Sequence, residues 1–309
     1  MFKLFQLELY TLFSRKLITL LIVLMFSFLS INIYDDYKNK QYSDDWKSEL
    51  HKDIQKQIQE MKNKNNTEEA KKYFAVNIQK DKLYLEKNIN PYKKNQYTFM
   101  QKNLNFLPII PLFIIMLSSF VFYKEYKYNT IKNIKLATIS SFNLVITKFL
   151  ALAITSTIIF SCFYLLCYIC GGLVNGWTHF HYTFITQDQD MLQINNSFIY
   201  LTKIFLSDYL VSLFFISLMS MLIALTKSST ISLILSMSLL FFYKILFNQL
   251  SSFQYTKYTF FNTLNIRKFA IQTSTFALNS SALLSLILNI IYIMLFLIVT
   301  IFFYKRIRI

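Results

Sequence analysis

Six apolar runs of close to twenty residues decide what this chain can become: 17–33, 104–122, 150–170, 204–225, 230–247 and 282–303. A helix needs about 20 apolar residues to cross the hydrocarbon core of a bilayer. Inside that core a backbone has no water to bond with, so each run must satisfy its own amide groups as a helix. The expected fold is therefore all-α, a polytopic membrane protein with six transmembrane helices. A composition that is 54% apolar and 18% aromatic fits this class. The first run has no A-x-A-like site and is long enough to span, so it reads as an anchor rather than a cleaved signal peptide.

Charge sets the orientation. The net charge is +16, but the basic residues are scattered over loops rather than gathered on one soluble face. That distribution argues against nucleic acid and for an anionic lipid surface as the partner. The stretch 123–148 carries five lysines and one acid, Glu125, beside two spans, which marks it as cytoplasmic. Residues 173–198 contain no Lys or Arg and read as outside. Both termini then lie in the cytoplasm, next to Arg15-Lys16 at one end and Lys305-Arg306 at the other. The richness in Lys, Asn, Ile, Tyr and Phe suggests an AT-rich bacterial genome, hence a bacterial cytoplasmic membrane.

Three parts follow from this topology. Residues 1–33 hold an N-terminal interfacial helix, with Phe2, Phe5, Leu9, Leu12 and Phe13 on its apolar side, and the first span. Residues 34–103 form a polar insert with 15 lysines and 11 acids, long enough to be translocated whatever its charge. Trp46, Leu50, Ile54, Ile58 and Met61 recur at helical spacing after Ser43-Asp44-Asp45, and Thr67-Glu68-Glu69 opens a second helix. The insert is therefore expected to be an extracytoplasmic helical hairpin. Residues 104–309 hold the other five spans, with Pro108 and Pro111 expected to kink the second. Within 123–148, Ile131, Ile134, Leu136 and Ile139 predict a short amphipathic helix at the membrane surface.

Few residues suggest chemistry of their own. Cys162, Cys167 and Cys170 share one apolar run without His or acid, and read as buried small hydrophobes rather than metal ligands. His179, His181, Asp188 and Asp190 lie in a loop at spacing too loose to argue for a metal. Glu68-Glu69 sits in a charged loop, not in a span as an intramembrane protease would need. Asp208 is an acid inside a span and so a functional candidate. Its structural alternative is a shallow acid that reaches the headgroups or pairs with Lys203. There is no G-x-x-x-x-G-K-[ST] loop and only three glycines, so the chain has no means of its own to hydrolyse ATP, and no cofactor is implied.

The order of residues in 123–148 resembles the loop after the second span of ABC-2 type ABC transporter permeases. Glu125, Thr130, Ile131, Lys132, Ser140 and Lys148 fall in register with that family's pattern. Asn129, Thr138 and Ser141 stand where Gly, Pro and Arg are usual. Glu8 followed by Arg15-Lys16, and the aromatic-basic tail from Tyr304, are also similar to the family. The resemblance implies the membrane subunit of an exporter that borrows a separate ABC ATPase and pairs with a second permease copy or paralogue. It implies ATPase coupling through Glu125, Asn129, Thr130, Lys132, Lys135, Ser140 and Lys148. An apolar span interior suits a hydrophobic or amphipathic cargo, and by the family's habits that cargo is a peptide, a bacteriocin or a lipid-like compound. The other open reading is a non-transporting membrane sensor or assembly scaffold that uses the 34–103 domain.

Overall fold

A computed structural model describes residues 2–38, 45–63, 67–128, 140–179, 182–188, 191–250, 254–267 and 282–306. Their order is α1 (Phe2–Phe13), α2 (Lys16–Lys38), α3 (Trp46–Lys62), α4 (Glu68–Glu86), α5 (Gln96–Asn103), α6 (Ile109–Lys127) and α7 (Ser141–Asn175). Two strands follow, β1 (Thr183–Asp188) and β2 (Met191–Asn196), then α8 (Ser197–Thr226), α9 (Ser229–Leu250), α10 (Phe260–Leu264) and α11 (Ala282–Arg306). Among the described residues five helices, α2, α6, α7, α8 and α11, are long and apolar enough to cross a membrane, and α9 adds a sixth apolar helix. The protein is thus an all-α polytopic membrane protein. The amphipathic helix expected over 131–139 lies outside the described residues.

Contacts divide the chain into two compact units. The first holds residues 1–29, 104–165 and 203–309, and the second holds residues 30–103 and 166–202.

The first unit is held by aromatic rings and small hydroxyls. Phe214 packs against Phe215, Phe260 and Phe296, while Phe163 bridges Phe106 and Phe205. Ser217, Ser220, Ser232, Ser236 and Thr300 are buried among them. Their hydroxyls bond back to their own helices or across, as Ser220 Oγ does to Thr300 Oγ1 at 3.0 Å. Small residues at such seams let backbones approach, the usual means of packing helices where lipid tails compete with apolar side chains. The outer faces remain apolar: Ile22, Val23 and Phe26 on α2, and Ile290, Ile291, Met294 and Ile298 on α11, are exposed. In water those faces would be a liability, and in a bilayer they meet acyl chains.

Two local expectations are corrected here. Pro108 is the N-cap of α6 and Pro111 lies in its first turn, where the missing N–H takes no bond from the helix. The prolines therefore start α6 and do not interrupt it. Of the three cysteines only Cys167 is buried, while Cys162 is exposed and Cys170 intermediate, because α7 turns them to different sides. The tight turn between α8 and α9 is as short as its sequence suggests. Lys227 takes a left-handed φ of 52° and its N–H bonds Ile223 O at 2.9 Å, ending α8 within one residue.

The second unit is built on the hairpin of α3 and α4. Thr67 caps α4 by accepting from Ala70 N at 3.3 Å. Leu50 and Tyr84 pack with Ile185 of β1, with Trp46, Leu83 and Leu192 around them. The two strands pair antiparallel from Thr183↔Asn196 to Asp188↔Met191 and give the helices the apolar partner that their narrow stripes lack. Asn95 caps α5, its Oδ1 accepting from Tyr97 N and Thr98 N. Gln96 clasps the backbone of Thr178 in both directions at 2.8 Å. A Cβ on Gly171 would come within 2.9 Å of Gln96 Cα, so α7 can meet α5 here only through a glycine. At the end of α2, buried Asp36 takes Lys102 at 3.0 Å, Asn175 at 2.8 Å and Lys94 at 3.6 Å, while Lys102 also holds Asp35. Burial pushes the Tyr84 phenol up to about 12.

Asp36→Ala should lower the stability of this unit by about 2–4 kcal/mol, because it strips a buried ion-pair partner from two lysines. Thermal unfolding of the purified protein should show that loss, and Asp35→Ala, on an exposed side chain, should move the midpoint far less. The raised Tyr84 phenol gives a second check. Its contribution is present below the ordinary tyrosine value and is lost as pH rises through about 12. Unfolding followed between neutral and strongly alkaline pH should show Tyr84→Phe to be the less pH-sensitive protein.

Candidate functional site

The last turn of α6 is written Tyr123-Lys124-Glu125-Tyr126-Lys127, a stretch expected to meet water. Glu125 is nevertheless only 4% exposed, and Lys148, in the second turn of α7, is 0% exposed. Lys148 Nζ lies 2.5 Å from Glu125 Oε1, donates to Val121 O at 2.7 Å and stands 5.7 Å from the centre of the Phe122 ring. A charge pair out of water is retained only where its remaining donors and acceptors also find partners. Here the Val121 carbonyl and the Phe122 ring take up what the carboxylate leaves.

Two further elements close the site. Tyr304, near the end of α11, is buried, and its hydroxyl lies within donating distance of Phe122 O at 3.1 Å and Glu125 Oε2 at 3.5 Å. Its ring meets Tyr126 edge-on at 5.7 Å. From α1, which packs on α6, Glu8 is buried with its Oε2 lacking a hydrogen-bond partner, and it adds a like charge near Glu125. Four helices thus converge on one buried lysine and two acids. In the sequence Glu125 precedes residues 129–139 and Lys148 follows them, so the ion pair joins the last turn of α6 to the second turn of α7.

Of the residues singled out from sequence, Glu125 and Lys148 are brought together. Ser140 stands at the start of α7 and accepts from Asn143 N at 3.1 Å as its N-cap. Asn129, Thr130, Lys132 and Lys135 lie outside the described residues. Glu125 is buried against Lys148 and not paired at the surface with one of the lysines beside it in the sequence. Tyr304 was legible only as part of an aromatic-basic tail, and no spacing rule points to Tyr126.

Asp208 lies elsewhere in the first unit. It pairs with Arg267 at 3.5 Å, a residue 59 positions away that no sequence signal connects to it. The pair lines a cavity of about 390 Å³ together with Pro108, Pro111, Leu240 and Tyr243. Among the described residues no group of three metal-ligating side chains occurs, while His181 and Asp190 lie outside them.

A family model described as ABC-2 family transporter protein matches residues 81–244, more than half of the chain, including α6, α7, Glu125, Lys148 and Asp208. The chain belongs to the ABC-2 family of transporter proteins. It is a membrane permease subunit of an ABC transporter, a transport component and not itself the ATPase. No curated protein and no solved structure matches it.

The permease should respond to small changes around the buried pair in proportion to what each group satisfies. Tyr304→Phe removes a hydroxyl from a buried acceptor and should cost about 0.5–1.5 kcal/mol. Ser140→Ala removes a cap and should cost about 0.5–2 kcal/mol. Thermal unfolding in detergent reads both, and a Tyr304→Phe protein as stable as the parent would remove its hydroxyl from the site.

Proposed function

We propose that this permease works with a separate ABC ATPase, pairs with a second permease copy or paralogue, and exports a hydrophobic or amphipathic cargo across a bacterial cytoplasmic membrane. Both termini and the 123–148 segment face the cytoplasm in this reading, and the 34–103 insert faces outside. The ATPase docks on the basic segment, with Asn129, Thr130, Lys132 and Lys135 at the contact. Glu125, Ser140 and Lys148 hold the base of that segment in place.

The observation that carries this reading is the buried Glu125–Lys148 pair. A segment joined only by flexible ends would absorb a push from its partner. A segment whose two ends are tied together passes the push on to α6, α7 and, through Tyr304, α11. Those helices can then rock as bodies, the usual form of a gating step. The cargo class rests on the spans themselves, whose apolar walls offer few charges to a polar solute. A peptide, a bacteriocin or a lipid-like compound fits that wall.

Glu125→Ala should reduce cargo export and permease-stimulated ATP hydrolysis together while the protein still reaches the membrane. Lys132→Ala with Lys135→Ala should weaken ATPase docking by about three- to tenfold, as loss of two exposed charge contacts would, without lowering the melting temperature of the permease alone. Co-purification with the ATPase and ATPase assays in proteoliposomes check both. Unchanged export and stimulation in Glu125→Ala would separate the ion pair from coupling.

A further inference from the structure

Near the same end of α6, but outside the buried pair, a second cavity of about 250 Å³ opens beside the first span. Arg15, at the break between α1 and α2, Lys124 and Lys127, on the last turn of α6, and Ser229, at the start of α9, line it. Its other walls are largely aromatic and apolar, with Phe120 and Leu233 among them, and no acid among the described residues lines it. Arg15 rests over the Phe120 ring at 5.3 Å and Lys127 over the Tyr128 ring at 5.4 Å. Among the described residues none of the three cations forms an ion pair within 4.0 Å, and the acid nearest to them along the chain, Glu125, is already held by Lys148.

Three cations around one small cavity repel one another, and no acid among the described residues lines it with them. We propose that this cavity is a binding site for one anionic phospholipid, its phosphate held by Arg15, Lys124 and Lys127 and an acyl chain lying along Phe120 and Leu233. A phosphate oxygen suits both the fork of an arginine and the point charge of a lysine. Ser229 adds a hydroxyl within the same wall. Phe120 is about half exposed, as are Ile231, Ile234 and Leu235 on α9, so a chain leaving the cavity runs into the bilayer rather than into water. An acidic peptide would meet the same cations but would have no use for that apolar exit. The three elements that line the cavity are α6, the α1–α2 junction and the start of α9, so a bound lipid ties together parts that are distant in sequence.

The test uses the purified full-length permease without any ATPase, so its result is independent of the coupling reading. Native mass spectrometry in detergent, with phosphatidylglycerol or phosphatidylcholine added, should show selective retention of phosphatidylglycerol. Each cation beside an anionic headgroup is worth a factor of about five in binding. The Arg15→Gln, Lys124→Gln, Lys127→Gln protein should therefore bind phosphatidylglycerol at least about tenfold more weakly, with phosphatidylcholine binding unchanged. A matched triple on α3, Lys47→Gln, Lys52→Gln, Lys56→Gln, should behave as the parent. The single reversal Lys127→Glu should act in the same direction as the first triple. Equal retention of the two lipids, or no loss in the first triple, would overturn the site. Displacement of the lipid by inorganic phosphate alone at millimolar concentration would also overturn it, because the apolar exit would then play no part.

Discussion

A carboxylate and an ammonium moved out of water each lose several kcal/mol of hydration, and their attraction replaces that only when the geometry is close and the other polar valences are filled. Glu125 and Lys148 meet both conditions at 2.5 Å, with Val121 O and Tyr304 completing the set. The first unit depends on this arrangement to hold the last turn of α6 against the second turn of α7. The pair contributes little net stability relative to an apolar substitute of the same shape. What it contributes is a requirement: either residue alone is a buried charge, so the two helix ends must stay together.

Glu8 makes the site more demanding. It is a second buried acid near the first, and its Oε2 has no hydrogen-bond partner among the described residues. The site is sensitive to where α1 sits, since a small shift of that helix changes the distance from the Glu8 carboxylate to Glu125. This gives the N-terminal helix a physical route to the ends of α6, α7 and α11. The ABC-2 permease thus has a polar junction at one end of α6, while the Asp208–Arg267 pair lines a cavity with Pro108 and Pro111 at its other end.

Much of the fold was legible because hydrophobic periodicity and run length are local. The spans, the α3–α4 hairpin with its Thr67 cap, and the sharp turn at Lys227 each follow from residues within one or two turns. The β-hairpin was missed for a related reason: Thr183–Asp188 and Met191–Asn196 are short, and a polar loop without basic residues drew attention to orientation rather than to alternation. The site divides the same way. Glu125 and Lys148 stood out as an acid among lysines and as a lysine at the mouth of a span. Their burial could not be read from sequence, because it depends on Tyr304 arriving 179 residues later and on α1 packing over the junction. Arg267 was hidden for the same reason, since it pairs with Asp208 across 59 residues of sequence.

The account rests on Glu125 and Lys148 acting as one unit, and a double-mutant cycle measures that directly. Glu125→Gln and Lys148→Met are made singly and together, and the unfolding free energy of each purified permease is determined in the same detergent. Each single change leaves one partner buried without the other and should cost about 3–5 kcal/mol, while the double variant should recover most of that, giving a coupling of roughly 2–4 kcal/mol. Costs that simply add, with a coupling within about 0.5 kcal/mol of zero, would contradict the claim that the ends of α6 and α7 are held by this pair.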